Sequence, residues 1–291
     1  MIIDKLLGKG TKSEVFYLRG FQRSGTNWVS NILNLHPEIA CVGEYHLQSF
    51  FSAKNSILQA RFNAFQRDKN FEKEFLNFVD GFVIRACKNK KLCGERTPNG
   101  LIGTYVPGRK NIIITRDGRD CIVSWYYHCL RRSILLNNRM KIKKEKFDLN
   151  PEYFEEHKNW LLSPLGYLSK LAKQWNDRVC NDIYQLNQAD KGNLDMPYFW
   201  IKYEDLLADT EGIREEMYHF LGVNPDKAKK LNQNTTPGFS EHDPNSHNRI
   251  GIAGRWQEYF TQKQHNTFLE QAKEGLNLLG YSTDYTRKQS T

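Results

Sequence analysis

Three stretches of the chain repeat one pattern, in which a short apolar run precedes a polar turn and then apolar residues at helical spacing. The first stretch has its apolar run at residues 15–18, and its helical spacing extends from Trp28 to Leu35. Short apolar runs predict buried strands, and the helical spacing predicts an amphipathic helix. We expect this helix to end before His36 and Pro37, because proline interrupts helices.

The second and third stretches follow the same order. Residues 111–115 form an isoleucine-rich run, which is followed by a charged turn and a helix-patterned segment containing Ser124. A third run at residues 198–203 precedes a helix that we expect over about residues 210–221. Repeated strand–helix units predict an α/β fold with a central parallel sheet flanked by helices. Such sheets bind ligands at the carboxyl ends of their strands.

The turn of the first stretch has the composition of an anion site. Residues 20–26 carry two glycines, a serine and Arg23 just before the predicted helix. Backbone N–H groups at the helix start and the helix dipole attract anions, so phosphate is the natural ligand. The glycine spacing is that of a P-loop, but Thr26 stands where that pattern has its lysine. We therefore do not expect an ordinary γ-phosphate site. An exposed arginine in a simple strand–turn–helix is the structural alternative.

Two further segments could bind anions. Arg116 follows the second predicted strand, and Ser124 lies one to two turns into the next helix, so the two side chains could hold one phosphate. We expect Arg119 and Asp120 to form a local charge pair or a helix cap. Near the C-terminus, residues 249–256 combine two arginines with two glycines, a composition that can wrap an anion with backbone N–H groups.

Length and composition predict one soluble, cytoplasmic domain over residues 1–291. The chain has 291 residues and shows neither an apolar stretch long enough for a membrane span nor a secretory signal at Met1. Its six cysteines are scattered without metal-ligand spacing, so we expect reduced thiols and no metal site. The cysteines are Cys41, Cys87, Cys93, Cys121, Cys129 and Cys180.

The net charge of +9 favours anionic partners without choosing among them. The densest basic segment, residues 131–146, is interpreted as a solvated surface formed by a helix end and a loop. Its alternative role is to flank an acceptor cleft and attract an acidic substrate.

With these segments, the chain resembles the sulfotransferases that use 3′-phosphoadenosine 5′-phosphosulfate (PAPS), which share a P-loop-kinase-like α/β fold. The resemblance spans nearly the whole chain. Residues 23–28 are similar to the family's 5′-phosphosulfate loop, with Asn27 in place of its second threonine. Arg116 and Ser124 match the family's 3′-phosphate pair. Residues 249–251 are similar to its late Arg-Lys-Gly loop, in which Ile250 replaces the lysine.

The resemblance implies a role for each matching residue in binding the donor. Trp28 would stack on the adenine, Tyr203 would line the base pocket, and Thr235 or Thr236 would hydrogen-bond the base or the 3′-phosphate. The implied donor-binding set is Arg23, Ser24, Gly25, Thr26, Asn27, Trp28, Arg116, Ser124, Tyr203, Thr235, Arg249, Ile250 and Gly251.

The implied reaction is in-line sulfuryl transfer from PAPS, leaving 3′-phosphoadenosine 5′-phosphate (PAP). Arg23 would stabilise charge on the oxygen that bridges sulfur and phosphorus, assisted by the Ser24 hydroxyl. Some branches of the family carry a glutamate after the first helix, which makes Glu44 the first candidate for the general base and His46 the second. Small-molecule members have a catalytic histidine where this chain has Pro98, which leaves Arg96 as a sulfuryl or acceptor contact. Alternatively, Glu44 is a surface carboxylate paired with a cation.

We expect the acceptor to be a hydroxyl, or else an amine, of a small polar metabolite or glycan, bound by residues 47–75 and 131–165. We expect no nucleic-acid partner. Of the positions that match the cytosolic family's dimer motif, only Thr261 keeps its residue, so the oligomeric state stays open. Two other functions remain: a P-loop kinase-like phosphotransferase, and a non-enzymatic nucleotide- or RNA-binding module.

Overall fold

The computed structural model describes residues 13–60, 68, 70–88, 90–98, 106, 108–134, 138–232, 235 and 251–286. Within these residues, five parallel strands form one sheet with helices on both faces. The strands are β1 (Glu14–Gly20), β2 (Ile39–Gly43), β3 (Leu92–Thr97), β4 (Lys110–Thr115) and β5 (Tyr198–Lys202). Their order across the sheet is β2-β3-β1-β4-β5. The predicted α/β fold with a central parallel sheet is confirmed.

The helices lie between and after these strands. They are α1 (Thr26–Leu33), α2 (Gln48–Gln59), α3 (Phe71–Ala86), α4 (Gly118–Arg131), α5 (Asn138–Leu149), α6 (Tyr153–Glu156), α7 (Lys158–Leu161), α8 (Leu165–Asp190), α9 (Tyr203–Ala208), α10 (Thr210–Leu221), α11 (Trp256–Tyr259) and α12 (Gln262–Leu278). A 3₁₀ turn covers Pro225–Lys227.

Side chains alternate between the two faces of the sheet. In β1, Phe16 and Leu18 pack with α1 and α10, whereas Val15 and Tyr17 pack with α3 on the opposite face. Both faces of the sheet are therefore buried at β1, which explains why its sequence reads as a continuous apolar run. Each fully buried apolar side chain of this kind stabilises the folded state by about 1.5–3 kcal/mol relative to an exposed one.

The three predicted strand–helix units are present, with shifted bounds. The strand predicted at 198–203 ends one residue earlier, because Tyr203 is the first residue of α9. Helix α10 has the predicted bounds. Strands β2 and β3 were not predicted, and they complete one side of the sheet.

The basic segment at 131–146 differs from its interpretation. A second helix, α5, covers most of the part that we expected to be a loop. Most of its cations are exposed, but Lys143 is 1% exposed and donates from Nζ to the backbone oxygens of Leu161 and Ser163. Burial, reinforced by the charge of Arg139, lowers the pKa of Lys143 to about 7.

Two further features concern the expected reduced cysteines and the expected lack of a membrane span. All six cysteines are free thiols. None of the helices among the described residues combines the length and the apolar character that crossing a bilayer requires.

Candidate active site

The strand register brings the candidate residues to one edge of the sheet. Gly20 of β1 aligns with Ile114 of β4, and Gly43 of β2 aligns with Arg96 of β3. Because all five strands are parallel, the segments that follow them meet at this carboxyl edge. Glu44 directly follows β2, Arg116 directly follows β4 and Tyr203 directly follows β5. Ser24, Gly25 and Thr26 lie four to six residues beyond the end of β1.

The turn between β1 and α1 forms a compact loop. The amide of Ser24 donates to the carbonyl oxygen of Phe21 at 3.1 Å, and Arg23 and Gly25 both have positive φ. Gly25 is the N-cap of α1, where no side chain of the described residues caps the helix and no acidic residue lies in the first turn. The first N–H groups of a helix have no intrahelical acceptor, so this end of α1 suits an anion.

Gly25 cannot carry a side chain in this conformation. Its φ is 107°, and a Cβ would lie 2.7 Å from Cδ2 of Tyr203. Tyr203 also contacts the ring of Trp28, with centroids 5.4 Å apart, and the guanidinium carbon of Arg116 lies 4.0 Å from the Tyr203 ring centroid. The loop backbone, two aromatic rings and Arg116 are therefore in direct contact.

Trp28 extends this group to Thr235. Its indole Nε1 donates to the carbonyl oxygen of Thr235, and both residues are buried. The structure thus brings together Trp28, Tyr203 and Thr235, which the resemblance assigned to the base. Thr236 lies outside the described residues.

Arg116 joins two segments that are distant in sequence. Its Nη1 donates to the carbonyl oxygen of Arg23 at 3.4 Å, and its Nη2 donates to that of Ile252 at 3.1 Å. Burial opposes the charge of this side chain, but Tyr203 and Asp120 outweigh it and raise the pKa of Arg116. The second predicted phosphate residue, Ser124, accepts a hydrogen bond from Nε of Arg23 at 3.0 Å.

Asp120 has a role that the sequence did not predict. Its carboxylate accepts hydrogen bonds from the backbone amides of Gly254 at 2.6 Å and Trp256 at 2.8 Å. The expected pair between Arg119 and Asp120 is wrong, because Arg119 pairs with Asp117, the residue that caps α4. Because Asp117 pairs with the guanidinium of Arg119, the carboxylate of Asp120 is available to the two backbone amides of the late loop.

The described part of the late glycine-rich segment, residues 251–256, therefore lies at the candidate site. Gly251 is buried, and Ile252 and Gly254 contact Arg116 and Asp120 as described. The two preceding candidates, Arg249 and Ile250, lie outside the described residues. Burial, with a smaller contribution from Asp117, raises the pKa of Asp120 to about 6, although Arg116 and the two amides oppose the shift.

The two candidate bases, Glu44 and His46, lie together with Arg96. Nη1 of Arg96 is 3.3 Å from Oε1 of Glu44, and Nε2 of His46 is 3.9 Å from Oε2 of Glu44. The Glu44 side chain is 37% exposed, so a ligand can reach it. This arrangement suits a general base held by a guanidinium, and it equally suits the paired surface carboxylate that the sequence left open.

Sequence reasoning missed a carboxylate behind this group. Glu95 is 0% exposed and accepts hydrogen bonds from Arg19, Thr97 and the backbone amide of Tyr45. The sequence does show a charged residue between Gly94 and Arg96. This residue indicates a buried carboxylate only once β3 is recognised as a buried strand.

The loop has polar atoms suited to an anionic ligand. The hydroxyl oxygen of Ser24 and Nε of Arg116 are both buried and have no hydrogen-bond partner among the described residues. Buried polar groups are normally paired, so two such atoms around one loop fit a ligand that bears negative oxygens. Together with the uncapped start of α1, these residues fit the phosphate groups of a nucleotide.

Comparison with known proteins identifies a related family. The family model described as "Sulfotransferase domain" matches residues 104–280, which is more than half of the chain. None of the curated protein sequences matches the chain.

Several solved structures are similar, each at low identity. Retinol dehydratase in a complex with retinol and PAP is 18% identical, with a TM-score of 0.44, 90% of this chain covered and 81% of that one. A sulfotransferase from Alicyclobacillus acidocaldarius is 16% identical, with a TM-score of 0.41 and 92% and 96% covered. Mouse sulfotransferase SULT7A1 complexed with PAP is 16% identical, with a TM-score of 0.43 and 91% and 84% covered. Likenesses this remote carry no argument about individual residues.

Proposed function

The chain belongs to the sulfotransferase family, and on this premise we propose that it transfers a sulfuryl group from PAPS to an acceptor hydroxyl. The observation that carries the proposal is the linkage of two anion sites. Arg116 bonds the carbonyl of Arg23, and Arg23 bonds Ser124, so the loop after β1 and the unit after β4 form one surface. A ligand with phosphate groups at two positions would use both.

In this proposal the loop after β1 binds the 5′-phosphosulfate through backbone N–H groups and the hydroxyl of Ser24. Support comes from the unpartnered Ser24 oxygen and the uncapped helix start. Arg116 and Ser124 would hold the 3′-phosphate, to which Nε of Arg116 is a free donor among the described residues. Trp28 and Tyr203 would contact the base, and the contact between their rings supports a shared role.

Donor binding would also involve the remaining residues of the predicted set. Thr26 and Asn27 open α1 and would offer their backbone N–H groups to the phosphosulfate. Thr235 would contact the base beside Trp28, and Arg249, Ile250 and Gly251 would cover the 3′-phosphate. The contact between Arg116 and Ile252 supports this placement of the late segment.

The proposed step is an in-line displacement at sulfur. The acceptor oxygen forms a bond to sulfur while the bond from sulfur to the 5′-phosphate oxygen breaks, and the electron pair leaves with PAP. The acceptor proton passes to Glu44, or alternatively to His46. Arg23 would neutralise charge that develops on the leaving oxygen, and Arg96 would hold Glu44 and contact the sulfuryl group or the acceptor.

We propose a small polar metabolite or a glycan as the acceptor. The support is the polar character of the surface around Glu44, where Arg96 and His46 offer hydrogen-bonding groups. A P-loop kinase-like phosphotransferase or a nucleotide-binding module would use the same loop. A kinase-like phosphotransferase would need the P-loop lysine, and this chain has Thr26 at that position.

The test is sulfuryl transfer from PAPS labelled in its sulfuryl group to a panel of polar metabolites and glycans. We expect labelled product with the wild-type protein. In Glu44→Gln the transfer rate should fall about a hundredfold or more, while the affinity for PAP should not change. Labelled product formed equally fast by Glu44→Gln would reject Glu44 as the base and direct the test to His46→Gln. Transfer from labelled ATP in place of PAPS would reject the proposed donor.

A further inference from the structure

A buried carboxylate lies directly behind the candidate base. Glu95 is in β3, one residue before Arg96, and its side chain is 0% exposed. Its Oε2 lies 2.7 Å from Nη1 of Arg19, which also donates to the carbonyl oxygen of Glu95. The hydroxyl of Thr97 donates to Oε1. Glu95 is therefore a paired carboxylate that no ligand can reach.

The stability of the fold does not by itself explain this ion pair. Moving a charge out of water costs several kcal/mol, which attraction and hydrogen bonds offset only when the geometry is favourable. Replacing such a pair by apolar residues of similar volume is often neutral or stabilising. A role in specifying the local conformation would account for its presence.

The third hydrogen bond of Glu95 points to such a role. Oε1 accepts from the backbone amide of Tyr45 at 3.3 Å, and Tyr45 directly follows Glu44. The next residue of β3, Arg96, contacts the same segment from its other side. Its guanidinium lies 3.3 Å from the Glu44 carboxylate and packs against Gly43, where a Cβ would be 2.5 Å from Nη2.

Two consecutive residues of β3 therefore hold the segment of the base in two ways. Glu95 holds its backbone at Tyr45, and Arg96 holds the carboxylate of Glu44. We propose that Glu95 is a positioning residue, which fixes the segment at residues 43–45 and so orients Glu44 towards the acceptor. This inference rests on the proposed function. Glu95 cannot itself take the acceptor proton, because it is fully buried.

The test compares three variants with the wild-type protein. Glu95→Gln keeps the shape of the side chain but removes the charge that pairs with Arg19. Thr97→Val removes one hydrogen bond to Oε1 and is the milder change. The matched control is Asp80→Asn, which neutralises another buried carboxylate. The hydrogen-bond partners of this carboxylate are Tyr17 and Arg109, which lie outside residues 43–46.

Four quantities are measured in each protein: the free energy of unfolding, the affinity for PAP by calorimetry, hydrogen exchange at the Tyr45 amide, and the steady-state rate of PAP release from PAPS with water as acceptor. For Glu95→Gln we expect kcat to fall about tenfold or more, because a misplaced base is costly. Its KM for PAPS and its affinity for PAP should change by less than about twofold. Exchange at Tyr45 should become about tenfold faster.

The control separates positioning from general destabilisation. Asp80→Asn should lose comparable stability but keep its kcat and its exchange rate at Tyr45. A wild-type kcat in Glu95→Gln, or an equal loss of kcat in Asp80→Asn, would overturn the positioning role alone. If Glu95→Gln does not fold, Thr97→Val decides the question by the same criteria, with an expected fall in kcat of about threefold. A wild-type protein that does not bind PAP would overturn the proposed function and, with it, this inference.

Discussion

Nε of Arg23 lies 3.0 Å from the hydroxyl oxygen of Ser124, so a side chain of the first anion loop is bonded to the helix that follows β4. In the other direction, Nη1 of Arg116 donates to the carbonyl oxygen of Arg23 at 3.4 Å. The two predicted phosphate sites are therefore interlocked. A change in either unit should alter ligand binding at both.

The first prediction concerns Ser124→Ala. It removes the acceptor for Nε of Arg23 and a proposed donor to the 3′-phosphate. Because hydrogen bonds to charged groups contribute about 1.5–3 kcal/mol, PAP should bind roughly 10- to 100-fold more weakly in a calorimetric titration. Thr267→Ala is the matched control, because it removes a helical hydroxyl that donates only to the carbonyl of Lys263. Equal affinities of the two variants would contradict the role of Ser124.

The second prediction concerns Arg116. Arg116→Lys keeps the charge, but a lysine has no planar guanidinium that could donate to the carbonyl oxygens of Arg23 and Ile252 together. We expect PAP affinity to fall about tenfold in Arg116→Lys and roughly a hundredfold or more in Arg116→Ala. Arg132→Ala, which removes an exposed charge next to the end of α4, controls for net charge and should bind normally. An Arg116→Ala protein that folds and binds PAP with wild-type affinity would count against the assignment.

The third prediction concerns Gly25→Ala. Alanine must adopt a φ near 107° and place its Cβ 2.7 Å from Tyr203. Gly192→Ala is the control, because Gly192 has a φ of 72° and the added atom would have no atom of the described residues within 4 Å. Backbone strain alone should cost each variant about 1–2 kcal/mol of unfolding free energy. Only Gly25→Ala should lose more than that and also lose PAP binding. Indistinguishable denaturation curves would argue against the close approach of Tyr203.

The fourth prediction concerns pH. The pKa of Asp120 is about 6 in the folded protein, against an ordinary value of 3.8. Because the folded-state pKa is the higher one, Asp120 stabilises the fold most below pH 3.8, and this contribution is lost as the pH rises to about 6. Asp120→Asn removes this contribution. The unfolding free energy of the wild type, measured relative to Asp120→Asn, should therefore fall from about pH 4 to pH 6 and then level off. A difference that is constant across this range would refute the elevated pKa.

The segments that we propose bind the donor could be located from the sequence because local sequence determines them. A strand, a glycine-rich turn and a helix start follow one another directly around Arg23, and the same order recurs around Arg116 and Tyr203. In a parallel sheet such turns must meet at one edge, so their convergence followed from the fold class alone.

The features that sequence reasoning missed depend on contacts distant in sequence. Strand β3 contains Gly94, Glu95 and Arg96 and does not read as an apolar run, so pairing with β1 and β2 is what defines it. Asp120 bonds an amide 134 residues away, at Gly254. Neither the burial of Glu95 nor that of Lys143 has a local signature, because charged residues are usually exposed.

The most direct test of the proposed donor site is a calorimetric titration of the purified protein with PAP, in parallel with 5′-AMP and with ATP plus magnesium. We predict tight binding of PAP and no preference for ATP. Binding of 5′-AMP should be much weaker, because it lacks the 3′-phosphate that we propose Arg116 and Ser124 hold. Preferential binding of ATP, or no binding of PAP, would contradict the donor site at the carboxyl edge of the sheet.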